Sequence, residues 1–150
     1  MDTLVFFINA VQGPALLLVP KYQEVTTDTL KIALWAEEID DLLAARLVVS
    51  YDSSYLDFSY LTIGDFWSKK GGEVICFDSS NKEEVVINLA TALGQKGGIT
   101  GSGVLANLYF VPLNSGETQI ETSQSECILR DSKQNNIPLR QNNYSRIIIR

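Results

Sequence analysis

Glu37, Glu38, Asp40 and Asp41 place four carboxylates in one short stretch. Paired carboxylates do acid–base work when an apolar pocket raises the pKa of one of them. Clustered oxygens can also hold Ca²⁺. The plainer reading, adopted here, is a short solvated acidic loop, with a helical turn over Glu37–Leu43 as its alternative. The chain contains no histidine, which removes the commonest general base and the commonest zinc ligand. Gly101-Ser102-Gly103-Val104-Leu105-Ala106 matches a loose G-x-G-x-x-A dinucleotide pattern. A strand pattern follows it, so no helix N-terminus awaits a pyrophosphate. Asp131 to Asn142 has the look of a calcium loop but lacks the central Gly and the terminal Glu of an EF-hand. Cys76 and Cys127 have no C-x-x-C spacing. They are read as two small buried apolar residues, with a single disulfide as the sharper alternative. Asn143-Tyr144-Ser145 is a formal glycosylation sequon. These features predict no catalytic residue, no cofactor and no metal site.

Trp35, Trp67, Tyr60, Phe66 and Tyr109 are the rings that could stack on sugar. Phe66 and Trp67 follow Gly64-Asp65 in a predicted loop. They are read as a lid over the end of a core, since aromatic residues supply much of the buried area in such folds. A coplanar, exposed Trp67 and Tyr60 would instead favour carbohydrate binding.

Apolar residues recur with period two along most of the chain, which is the signature of half-buried strands. Leu30, Ile32 and Leu34 share one face, and so do Ala45, Leu47, Val49 and Tyr51. Leu56 and Phe58 continue the scheme. Val85, Ile87 and Leu89 point inward, as do Ala106, Leu108 and Phe110. Thr118, Ile120 and Thr122 repeat it, and Ile147 to Ile149 close the chain. Asp52-Ser53-Ser54, Gly71-Gly72, Ser79-Ser80-Asn81, Gly94 to Gly103 and Asn114-Ser115-Gly116 separate the runs as turns. Strands with one apolar face each bury it by pairing two sheets. The expected fold is all-β: a two-sheet sandwich with jelly-roll topology and about eight or nine strands.

The chain's 150 residues suit one domain. Residues 1–14 are read as an N-terminal strand or the remnant of a leader, and residues 15–150 as the sandwich. Leu4 to Ala10 is apolar but lacks a basic flank. The segment is therefore read as a module whose secretion signal lies outside it. No run reaches the roughly 18 apolar residues of a membrane span. The net charge of −6 argues against nucleic acid, which needs a basic face.

Three blocks carry a family resemblance. They are A-A-R-L-V-V-S-Y-D-S-S-Y-L-D-F from Ala44 to Phe58, G-S-G-V-L-A-N-L-Y-F from Gly101 to Phe110, and L-R-D-S-K-Q-N-N-I-P from Leu129 to Pro138. Together they resemble the cohesin family, with its Y-D-P-x-x-L-x-F strand end, its G-x-L-A-x-L-x-F strand and its late D-x-x-x-N-x-I segment. The resemblance runs from about Ala15 to the C-terminus. It implies a non-catalytic module, extracellular or at the cell surface, that binds dockerins through one sheet face. Carried onto this chain, that partner-binding face holds Ala44, Arg46, Val48, Ser50, Val86, Asn88, Ala90, Gln119 and Glu121. Familiar type I members carry Asn and Asp where this chain has Ala44 and Arg46, so a type I specificity is not implied. A flat interface of this kind buries roughly 800 Å² per partner. The alternatives are a carbohydrate-binding or adhesion module taking polysaccharide, and a structural spacer, because one scaffold hosts many ligands.

Overall fold

The computed structural model of the chain describes residues 13–69, 73–91, 97–123, 125–142 and 144–150. The apolar run Leu4–Ala10, the Gly71-Gly72 turn and Asn143 of the sequon lie outside the described residues. Eleven strands follow in order: β1 (Ala15–Val19), β2 (Tyr22–Val25), β3 (Leu30–Tyr51), β4 (Leu56–Ile63), β5 (Val74–Ser80), β6 (Glu84–Thr91), β7 (Ile99–Pro112), β8 (Gly116–Thr122), β9 (Ile128–Asp131), β10 (Arg140–Asn142) and β11 (Tyr144–Ile149). A single 3₁₀ turn, Asp65–Ser68, is the one helical element among the described residues.

β3 organises the molecule. Its 22 residues would span about 73 Å if straight, at roughly 3.3 Å per residue. It bends instead and serves two sheets. Its first half lies between β1 and β7, and β10 and β4 flank these, giving the order β10–β1–β3–β7–β4. Its second half pairs with β6 on one side and with β8 and β9 on the other, and β5 completes that sheet beyond β6. β11 and β2 continue outward from β8. The chain is a β-sandwich with the expected topology.

The bend falls on the acidic stretch, where a loop was expected. Glu38 and Asp41 take positive φ of 52° and 62°, and the pairing of β3 with β7 slips after Ala36 and again after Ile39. Two bulges thus turn one strand from sheet to sheet. The stretch stays extended because its backbone is held. Glu38 donates its N–H to Ser102 Oγ at 2.9 Å, and Asp41 donates its N–H to Thr100 Oγ1 at 3.1 Å. Ile39 and Leu42 meanwhile drop into the core.

The alternation places the core where expected. Leu30, Ile32, Leu34, Leu47, Val49, Val85, Ile87, Leu108 and Phe110 are all buried. Tyr51 and Phe58 meet Phe110 edge-on, with ring centroids 5.1 and 5.6 Å away. Small Ala106 lies where the sheets close, also fully buried. Strands outnumber the expectation because β2, β9 and β10 are each only three or four residues long, too short to display a period.

Candidate recognition face

The second half of β3 sits in the middle of an outer sheet face. Register alone builds cross-strand rows there, because residues two apart on a strand share a face. One row runs Phe77–Asn88–Arg46–Ile128, and the next runs Ile75–Ala90–Ala44–Arg130. Ser50 stands opposite Glu84 on β6 and Glu121 on β8. The structure therefore brings Ala44, Arg46, Ser50, Val86, Asn88, Ala90 and Glu121 together on one surface. Gln119 is exposed but opposes Arg146 of β11, which puts it at the rim, past the end of β3. Val48 has the right parity but is 1% exposed. The turn Ser123–Cys127 bonds both its backbone groups, with Ser123 N–H donating to its carbonyl at 3.1 Å and its own N–H meeting Cys127 Sγ at 3.3 Å. Val48 therefore offers a partner almost no surface.

Four residues of this face were not among those expected: Ile75, Phe77, Ile128 and Arg130. Phe77 is 69% exposed, the most exposed of the large apolar side chains described, and Ile75 is 41% exposed. The run Val74-Ile75-Cys76-Phe77 is apolar at every position, so period two could not assign a face. The strand-ending cluster Asp78-Ser79-Ser80 was the only hint that Phe77 lies near a rim.

The face carries a charge gradient. Among the described residues, neither Arg46 nor Arg130 is paired with a carboxylate. About 13 Å along β3 from Arg46, at roughly 3.3 Å per residue, an open groove is lined by Ser50, Asp52, Glu83, Glu84 and Glu121. Both cysteines are free thiols. Cys127 is buried, and burial pushes its thiol pKa up. That makes it a packing residue rather than a nucleophile.

The other candidate features resolve as structure. Asp41 accepts from Gly98 N–H at 2.6 Å, from Ser132 Oγ at 2.6 Å and from Ser132 N–H at 3.2 Å. The Ser132 hydroxyl first, then the Gly98 amide, hold its carboxyl below the ordinary aspartate value. It stitches the β3 bend to two neighbouring segments. Asp40 accepts from the Thr100 hydroxyl at 2.9 Å, and Glu37 from Trp35 Nε1 at 2.6 Å. No metal-competent group of three or more His, Cys, Asp or Glu side chains occurs among the described residues. Gly101–Ala106 lies inside β7, with strand on both sides. Asp131 Oδ1 accepts from the Lys133 and Asn135 amides at 2.9 Å each, which closes a turn. Phe66 and Trp67 are buried in the 3₁₀ turn, and Trp67 Nε1 donates to the Leu105 carbonyl at 3.0 Å. Tyr60 and Tyr109 lie on the opposite sheet, nearly parallel at 10° with centroids 4.4 Å apart. Rings that face each other this closely do not offer one shared plane to a sugar. No described helix is long and apolar enough to cross a membrane.

The family model "Cohesin domain" matches residues 18–146. A search of the curated proteins finds no match. Among solved structures, a non-cellulosomal cohesin from the hyperthermophilic archaeon Archaeoglobus fulgidus superposes with a TM-score of 0.74 at 14% identity, over 93% of this chain and 92% of that one. The sixth cohesin of scaffoldin B from Acetivibrio cellulolyticus, solved in complex with a mutant Cel5 dockerin, gives 0.74 at 15% identity, over 93% and 100%. A type I cohesin–dockerin complex from Clostridium thermocellum gives 0.72 at 18% identity, over 91% and 94%.

Proposed function

The chain belongs to the cohesin family, and from that premise we propose that it binds a dockerin-type module through the outer face of β9, β3, β6 and β5. Cohesins are non-catalytic recognition modules, and we propose that this chain is one too, working outside the cell or at its surface. The observation that supports the face most is its composition. Ala44, Ala90 and Asn88 leave a low central surface, while the exposed Phe77 and Ile75 rise at one edge. Aromatic side chains and Arg are enriched at protein–protein interfaces, and this face exposes Phe77 beside Arg46 and Arg130. Arg46 and Ala44 stand where familiar type I members carry Asp and Asn, so the partner differs from theirs. Isothermal titration with calcium-loaded dockerin modules encoded in the same genome tests the reading. Saturable one-to-one binding by at least one of them is expected. Silence from all of them overturns it.

A further inference from the structure

Charge is distributed unevenly along the direction of β3. Arg46 and Arg130 sit diagonally on adjacent strands, since Arg46 opposes Ile128 and Ala44 opposes Arg130. Diagonal neighbours of that kind are roughly 7–8 Å apart. Both side chains are exposed, and no described carboxylate pairs with either. Glu84 and Glu121 flank Ser50 from opposite sides, and Asp52 and Glu83 line the same groove. Between the two poles β3 and β6 carry only the shielded Val48 and Val86, and the turn beside Val48 adds one exposed carboxylate, Glu126. A partner laid across such a surface loses water from both poles at once. A charge of the wrong sign at either pole then leaves a desolvated like-charge contact, which suppresses the wrong partner.

We propose that this face selects a partner with an acidic group over Arg46 and Arg130 and a basic group over Glu84 and Glu121, and that the gradient fixes a single docking direction. The two partner groups stand about 13 Å apart, the distance along β3 from Arg46 to Ser50, which Glu84 and Glu121 flank. On a helix lying along β3, that separation corresponds to about nine residues. The inference rests on the dockerin reading and adds the sign and order of the partner's charges.

The test uses the whole chain against the same panel of calcium-loaded dockerin modules. Three forms are compared: wild type, R46E/R130E and E84K/E121K. Arg46, Arg130 and Glu121 are exposed and Glu84 is half-buried, so each variant should melt within a few degrees of wild type, and melting curves confirm that the fold is kept. Each double variant is expected to lose at least tenfold in affinity for the dockerins that wild type binds. Reversing the matching acidic group on the dockerin should restore binding to R46E/R130E but not to E84K/E121K. If wild type binds and both variants bind equally well, the directional inference fails while the dockerin reading stands. If reversing that one acidic group restores binding to R46E/R130E and to E84K/E121K alike, a single direction is excluded. Wild-type silence across the panel overturns the reading and the inference together.

Discussion

Asp41 shows how a residue that looks catalytic can be structural. Its carboxylate accepts from Gly98 and Ser132, and these bonds lower its pKa. A depressed folded pKa means that the ionised form stabilises the fold above the unfolded pKa. That contribution disappears as pH falls through the folded value, so the window lies below about pH 4. Asp41→Asn should destabilise the chain by about 1 kcal/mol at neutral pH, a modest figure because the group is open to water. The gap between variant and wild type should narrow as pH drops below 4, and melts from pH 7 to pH 3 will show it; an unchanging gap would assign the effect to shape instead. Gly98 is tied to the same bend. A Cβ there would stand 2.3 Å from the Asp41 carbonyl carbon, so Gly98→Ala should cost about 1–3 kcal/mol by overpacking, read as a lower urea midpoint. Phe77→Ala and Arg46→Glu belong to the surface. Each should change stability by no more than about 0.5 kcal/mol. Phe77→Ala should weaken partner binding at least tenfold, roughly the effect of losing one hot spot. A large drop in melting temperature for either would show that the side chain is buried.

At the scale of elements, the 3₁₀ turn acts as a plug rather than a binding loop. Phe66 and Trp67 close one end of the sandwich, and Trp67 is anchored to the Leu105 carbonyl. Trp67→Ala should therefore cost about 3–5 kcal/mol, measured by chemical denaturation; a loss under 1 kcal/mol would return the ring to the surface. The strands that pack the core were legible because their alternation reports a buried face, as at Leu30–Leu34 and Ala106–Phe110. The β3 bend was not legible. E-E-I-D-D-L-L breaks the period, and what keeps it extended is Thr100 and Ser102, far along the chain. β5 was not legible by period, because Val74, Ile75, Cys76 and Phe77 are all apolar, and it runs through Ser79 and Ser80, where a turn was expected. Val48 failed in the opposite way. Its parity marked it as outward, and only the Ser123–Cys127 turn, a contact at long sequence range, shields it.

Across the whole molecule, two sheets share one bent strand, and their outer faces differ in character. The face of β4 and β7 presents a self-stacked tyrosine pair. The face of β9, β3, β6 and β5 presents two arginines that pair with no described carboxylate, an exposed phenylalanine and an acidic groove. We propose the second face as the one that grips a partner, on the asymmetry of its charge and its exposed Phe77. The direct check is amide shift mapping by NMR on the labelled chain during titration with a dockerin module that binds it. The account predicts perturbations concentrated at Ala44–Ser50, Ile75–Ser79 and Glu84–Ala90. Perturbations centred instead on Tyr60–Ile63 and Asn107–Tyr109 would contradict it.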